Sequence, residues 1–280
     1  VIFSDNVDAV YVATPPDSHL YYAKLVANSG KHLLLEKPLA RNLEEAEELV
    51  QYCEGKNINL FVAYYRRALP RFLKVKAWID SKIIGNPTFI HIQHNGSPEN
   101  HPVSPIDSKN VPPLKDIPWR FIPEISGGGN FVDCGTHMLD MIDFILGPIK
   151  EVNGRACNQA GIYPAEDSVS GSFLVNDKIP GTGQWNYVSG TEVDKIEIVG
   201  TKGAIRFSFF DEEPLELETA SGIEFFEAKN PRYWHQPFIQ TVVNSLLGKG
   251  NCPSTGENAL RAMSVKWQFL SNYYNKSISN

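Results

Sequence analysis

Apolar positions along the first third of the chain come in short continuous runs separated by amphipathic stretches. Asp8-Ala9-Val10-Tyr11-Val12-Ala13-Thr14 is β-branched and closed by Pro15-Pro16, which predicts a buried strand. Asp17 or Ser18 can cap a helix running to about Ser29, with Gly30 ending it. His32-Leu33-Leu34-Leu35 predicts a second buried strand, stopped at Pro38. Asn42 caps a helix from about Leu43 to Glu54 whose face is Leu43, Ala46, Leu49, Val50 and Cys53. Ile58 to Ala63 is the third strand. Strand, helix, strand, helix, strand predicts parallel units joined by right-handed crossovers.

A helix from about Pro70 to Ile83 follows, broken by Gly85-Asn86-Pro87, and Thr88 to His94 alternates as a strand. Asn95 to Ser126 holds seven prolines and little periodicity, a long irregular stretch of the kind that often carries function. Gly127-Gly128-Gly129 opens a helix to about Leu146, ended by Gly147-Pro148. From Lys150 strand-like runs recur at Gly171–Val175, Gly183–Val188, Lys195–Val199 and Ala204–Phe209, with a turn at Gly200–Gly203. Two helices close the chain, about Gln236–Leu247 and Glu257–Tyr274. The expected architecture is an α/β unit over residues 1–85 and an α+β unit over 86–280. The second holds a mostly antiparallel sheet with helices on one face, and helices within 237–280 are expected to pack back on the first.

Composition narrows the partners. The 280 residues are 42% hydrophobic and 21% charged, ordinary for a globular chain of two moderate domains. A net charge of −6 argues against a nucleic-acid partner, which needs a basic face. Cys53, Cys134, Cys157 and Cys252 form no CxxC pair, so a reducing, cytoplasmic setting is expected rather than a disulfide or zinc framework. No run of 18 apolar residues exists. The sequons at Asn95 and Asn275 are read as chance matches. The opening VIFSDNVDAVYVATPP carries no recognisable signal peptide and reads as the interior of a fold, so the chain is expected to be cut at its N-terminus.

Three places can carry chemistry. Thr14-Pro15-Pro16 and Glu36-Lys37-Pro38 end successive parallel strands, and both loops should face the crevice where open α/β sheets bind ligands. A partly desolvated Lys37 beside a cationic ring could exchange protons with a hydroxyl; the plain alternative is a solvated surface lysine. In Gly127–Asp140, Asp133 and His137 are i,i+4 neighbours and Asp140 follows at i+3 from His137, so all three share one helical stripe. Such a row suits proton transfer, because a carboxylate orients the imidazole and raises its basicity; the alternative is a solvated helical ion pair. A metal would need a third ligand such as His94 or His101, and none is expected. Trp119 could stack on a planar ring and Arg120 could clamp a phosphate or amide, or both could simply cover the core. Tyr64-Tyr65-Arg66-Arg67 sits at the crevice edge, either as ligand contacts or as a surface charge pair. Arg206, Arg232 and Arg261 show no convergent context.

In order, VDAVYVATPPDSH, GKHLLLEKPLARNLEEAEELV, AYYRRALPRF, IGNPTFIHI, PWRFIPEISGGGNFVDCGTHMLDMIDFILG and IEIVGTKGAIRF resemble the glucose–fructose oxidoreductase / inositol dehydrogenase (Gfo/Idh/MocA) family across nearly the whole chain. That resemblance implies part of a Rossmann nucleotide domain followed by a domain with a large open sheet that makes a homodimer or homotetramer. It implies an NAD or NADP cofactor, with no preference readable, and hydride transfer to or from a sugar, inositol or related polyol. Lys37 and His137 would take part in proton transfer, with Asp133 positioning substrate and His137. Glu36 would bind the nicotinamide ribose, Thr14, Pro15 and His19 would line the nicotinamide side, and Pro38, Trp119 and Arg120 would adjoin the cofactor. Tyr65 falls where the family often carries Asn. The family's Gly-rich phosphate loop would lie before Val1, within roughly 60 residues expected to be missing. Two rival readings follow: a glycosidase of the same family that uses NAD only transiently, and a non-catalytic cofactor-binding protein or truncated product.

Overall fold

The computed structural model describes residues 1–97 and 113–275. Residues 98–112 of the proline-rich stretch, His101 among them, and the end of the second sequon lie outside the described residues. Strand β1 (Ala9–Val12), helix α1 (His19–Asn28), β2 (His32–Leu35), α2 (Leu43–Gly55) and β3 (Leu60–Val62) form a parallel sheet in the order β1-β2-β3. Asn42 caps α2 by accepting from the Glu45 amide at 2.8 Å, and Ala46, Leu49, Val50 and Cys53 are the buried face. A 3₁₀ turn at Pro16–Ser18 precedes α1, so the α-helix starts later than the capping pattern predicts.

Helix α3 (Pro70–Asp80) begins at its proline and stops before Ile83, because Lys82 takes a left-handed φ of 58°. Strand β4 (Pro87–Asn95) enters the second sheet. After a short helix α4 (Pro123–Ser126), the expected single helix from the glycines divides in two. Phe131–Gly135 is a wide π turn, and only Thr136–Leu146 is regular helix, α5. Strands β5 (Ile149–Cys157), β6 (Ser168–Val175), β7 (Ile179–Asn186), β8 (Val193–Gly200), β9 (Gly203–Phe207), β10 (Leu215–Thr219) and β11 (Gly222–Phe226) complete an eight-stranded sheet in the order β11-β10-β9-β8-β4-β7-β6-β5. Its pairs are antiparallel except β4 with β7. β5 is absent from the pattern reading because it is irregular: Glu151 has a φ of 48°, and the register shifts between Lys150 and Asn153.

Two helices close the chain, α6 (Gln236–Leu246) and α7 (Gly256–Tyr274). Phe238 and Val242 of α6 pack with Leu34, Phe61 and Ala63 of the small sheet. α7 belongs to both cores. Ala259, Ala262 and Met263 pack with the α1–α2 side of the small sheet, whereas Val265, Phe269 and Leu270 pack under the large sheet with α3 and α5. This shared helix holds the crevice of the first unit against the glycine turn and α5 of the second. The opposite face of the large sheet is polar: His91 meets Thr182 at 2.9 Å, and Arg206 pairs with Glu197, Glu216 and Glu218. Among the described residues, no helix is long and apolar enough to cross a membrane.

Candidate active site

Parallel pairing aligns the carboxyl ends of β1 and β2, so the loops after Val12 and Leu35 lie side by side. Ser18 Oγ donates to Thr14 Oγ1 at 2.7 Å and shapes the first loop. Glu36 accepts from the Tyr11 hydroxyl and, at 3.0 Å, from the Lys37 amide, which fixes its carboxylate at the crevice edge. The Lys37-Pro38 peptide is cis. Arg41 then straps this loop to the second unit: its guanidinium pairs with Glu45 and donates to the Glu124 carbonyl at 2.8 Å, and its own carbonyl accepts from Lys266 at 2.6 Å.

The glycine turn is shaped by crowding. Gly127 has a φ of 82°, and a Cβ there would lie 2.3 Å from the Arg41 carbonyl oxygen. A Cβ on Gly129 would lie 2.4 Å from the Glu166 carbonyl oxygen. The turn therefore sits directly against the Lys37 loop, and the π turn that follows aims Asp133 across the crevice.

Lys37 Nζ donates to both the Asp133 carboxylate and, at 3.0 Å, the Asp133 carbonyl, joining two motifs 96 residues apart. Arg120 Nε lies 3.7 Å from the other carboxylate oxygen, and the Arg120 guanidinium is 4.3 Å from the Trp119 ring centre. Around them is a cleft of about 320 Å³ lined by Thr14, Pro15, Glu36, Lys37, Pro38, Trp119, Arg120 and Asp133, with Ser126 and Gly129 at its floor. That volume lies at the small end of ligand pockets. Among the described residues Arg120 Nε, on the cleft wall, is buried without a hydrogen-bond partner, so the residues present fit a ligand that offers it an acceptor such as an amide or hydroxyl oxygen.

His137 lies deeper, edge-on to Tyr64 at 5.5 Å and to Tyr65 at 5.8 Å. Its Nδ1 is buried without a hydrogen-bond partner among the described residues. Burial, reinforced by Lys37, Arg66 and His235, holds its pKa well below the ordinary histidine value, so the imidazole is neutral at neutral pH.

This corrects the expected acid–imidazole row. The wide turn rotates Asp133 onto Lys37 and Arg120, and Asp140 binds Arg67 at 2.7 and 2.9 Å. His137 is thus made less basic, not more. His19 does not line this cleft. It is fully buried behind it, with its ring nitrogens 2.9 Å from the Thr14 carbonyl oxygen and 3.2 Å from that of Leu39, so it ties the two loops together. Tyr65 stacks on His235 at 4.1 Å beside His137 and is not among the residues that line the Lys37 cleft. Arg66 and Arg67 are neither surface charges nor cleft residues. Arg66 is enclosed by Phe209, Phe210, Tyr65 and Trp234, and Arg67 joins Asp140 and Asp143 in the interior. Arg261, expected to lack context, completes that interior pair through Asp143 at 2.9 Å.

Glu166 has no sequence signal and yet anchors the site. Fully buried, it accepts from the Gly129 amide at 2.9 Å and from the Tyr274 hydroxyl. Burial pushes its pKa from 4.5 to about 7 despite those bonds. A raised carboxyl favours the fold fully below pH 4.5, and that contribution is lost as pH rises through about 7. Glu166→Gln is therefore expected to flatten this loss, which is on the order of 3 kcal/mol at most. Chemical denaturation of both proteins across that window measures it, and parallel stability curves would contradict the assignment.

Comparison with known proteins fits this geometry. Residues 1–64 match the family described as "Oxidoreductase family, NAD-binding Rossmann fold", and residues 72–206 match "GFO/IDH/MocA C-terminal domain". An oxidoreductase of Formosa agariphila is 34% identical over 259 residues, 92% of this chain and 77% of its own. A D-xylose 1-dehydrogenase (NADP(+)) of Haloarcula marismortui is 33% identical over 147 residues, 51% of this chain and 37% of its own. The solved structure of a levoglucosan dehydrogenase with NADH and levoglucosan superposes with a TM-score of 0.83 at 22% identity, covering 98% of this chain and 80% of the other.

Proposed function

The chain belongs to the GFO/IDH/MocA family of NAD-binding oxidoreductases, and from that premise we propose that it transfers hydride between a nicotinamide cofactor and a carbinol carbon of a sugar or polyol. The observation that carries this reading is the contact of Lys37 Nζ with Asp133 inside the cleft at the carboxyl ends of β1 and β2. D-xylose 1-dehydrogenase and levoglucosan dehydrogenase among its relatives support the substrate class.

Glu36, Thr14, Pro15 and Pro38 would hold the nicotinamide half of the cofactor, with Trp119 and Arg120 covering it. The bound nicotinamide supplies the hydride acceptor or donor. The chain's own residues handle the proton. Neutral His137 accepts it from the substrate hydroxyl during oxidation, or returns it during reduction. The Lys37 ammonium donates a hydrogen bond to the substrate oxygen as negative charge develops there, held in place by Asp133. Asp133, shared between Lys37 and Arg120, keeps both cations oriented in the cleft.

A direct assay follows nicotinamide absorbance when the protein, NAD or NADP, and D-xylose or levoglucosan are mixed. Cofactor reduction that depends on the sugar is expected. Release of a sugar's leaving group without net cofactor change would instead favour the glycosidase reading. We propose the polar, helix-free face of the large sheet as the surface for pairing with a second copy. Sedimentation velocity tests this, and a single-chain mass would exclude it.

A further inference from the structure

Lysine is rarely enclosed, because its ammonium group leaves water only at a cost. Lys266 of α7 is nevertheless 1% exposed. Its neighbours along the helix, Ala262, Met263, Phe269 and Leu270, are all apolar and buried. Met263 packs with the small sheet and Phe269 under the large one, so Lys266 sits where the two cores meet. An apolar side chain would suit this stripe at least as well, and a charge kept there calls for a reason.

The bonds it makes supply one. Lys266 Nζ donates to the Arg41 carbonyl at 2.6 Å. Arg41 lies four residues beyond Lys37, and Leu39 and Ala40 between them are fully buried, so this bond holds the far end of the Lys37 loop. The same carbonyl oxygen is the atom that crowds Gly127. Lys266 is also within electrostatic reach of Glu45 in the first unit and of Glu166 in the second.

About two turns further along α7, the Tyr274 hydroxyl donates to Glu166. Glu166 accepts from the Gly129 amide at 2.9 Å, and the Gly129 carbonyl accepts from the Asp133 amide at 3.2 Å. Each partner of the Lys37–Asp133 contact is thus tethered four residues away, Lys37 at Arg41 and Asp133 at Gly129. Both tethers end on α7, the helix that the two cores share.

We infer that Lys266 and Tyr274 are positioning residues for Lys37, holding its loop and the glycine turn at the separation where Lys37 meets Asp133. Neither is among the residues that line the cleft, so each acts through the backbone it holds. Loss of either tether leaves the Lys37 and Asp133 side chains chemically intact and lets them drift apart. Small misplacements of reacting groups are expensive: about 1 Å can cost on the order of 10²-fold in rate. The inference rests on the oxidoreductase reading only for the reaction that this geometry serves.

The test uses Lys266→Met, which fills similar space without charge, and Tyr274→Phe, which removes only the hydroxyl. Thermal melts establish that each is folded, and Tyr274→Phe carries the test should Lys266→Met fail to fold. Lys37 is labelled with trinitrobenzenesulfonate, and its rate of modification is followed by peptide mass spectrometry. Labelling is expected to be about 10-fold faster in each variant, the scale for losing one hydrogen bond to a charged group. In parallel, kcat with NAD or NADP and D-xylose or levoglucosan is expected to fall about 10-fold, with the sugar KM within about twofold of wild type. Adding Lys266→Met to a Lys37→Ala protein should cost nothing further, because residues that act as a unit are not additive. Equal losses with and without Lys37 would mean general loosening and overturn the inference. Wild-type labelling of Lys37 in the folded variants would also overturn it and leave the oxidoreductase reading standing. Faster labelling, in a wild-type protein that shows no sugar-dependent nicotinamide change, would support Lys266 and Tyr274 as positioning residues and overturn that reading instead.

Discussion

Lys37→Ala is expected to lower kcat by about 10²–10³-fold, the usual worth of a positioned donor that stabilises charge developing on the reacting oxygen. The side chain is partly buried, and among the described residues its hydrogen bonds are to Asp133. Removing it leaves Asp133 beside Arg120, so the carboxylate keeps a cation nearby and the fold should survive. His137→Ala is expected to reduce kcat on a similar scale for a different reason. It removes a neutral acceptor whose Nδ1 has no hydrogen bond among the described residues to lose. Steady-state kinetics with melting curves for both variants check this. Unchanged turnover in a folded Lys37→Ala protein would remove the lysine from the mechanism.

The second large effect is on stability. Arg67 is buried between Asp140 and Asp143 and also donates to the Pro253 carbonyl at 3.0 Å. It thereby joins the end of β3, α5 and the segment leading into α7. Arg67→Ala would strand buried carboxylates, of which Asp140 is already pushed up to about 6 by burial. Breaking such a pair costs about 3–5 kcal/mol. For a chain of this size that is a fall in Tm of roughly 10 °C. Asp143 keeps Arg261, so the loss should fall mainly on Asp140. A Tm within about 2 °C of wild type would show the network to be dispensable.

Local signals carried the first unit. A short apolar run ending at a proline gave β2 its observed bounds, Asn42 gave the start of α2, and Pro70 gave the start of α3. The two motifs that meet in the cleft were also legible, because each sits at a punctuated end of its own element, Lys37 before Pro38 and Asp133 after three glycines. What their spacing could not reveal was the direction of Asp133. A regular helix would stack it on His137, and only the π turn sends it to Lys37. The acid that supports the glycine turn, Glu166, is isolated in the chain and acts across 37 positions. Strands β10 and β11 were missed as well, the latter because all five of its residues are exposed.

The central claim is that a carbon–hydrogen bond of a sugar or polyol delivers its hydride to a nicotinamide held in this cleft. The most direct measurement uses D-xylose deuterated at C1, or levoglucosan deuterated at its carbinol carbons, and analyses the recovered cofactor by mass spectrometry. The account predicts deuterium on the reduced nicotinamide in one-to-one proportion to sugar oxidised, and almost none with Lys37→Ala. Sugar consumed without label reaching the cofactor, or label transfer undiminished in Lys37→Ala, would contradict it.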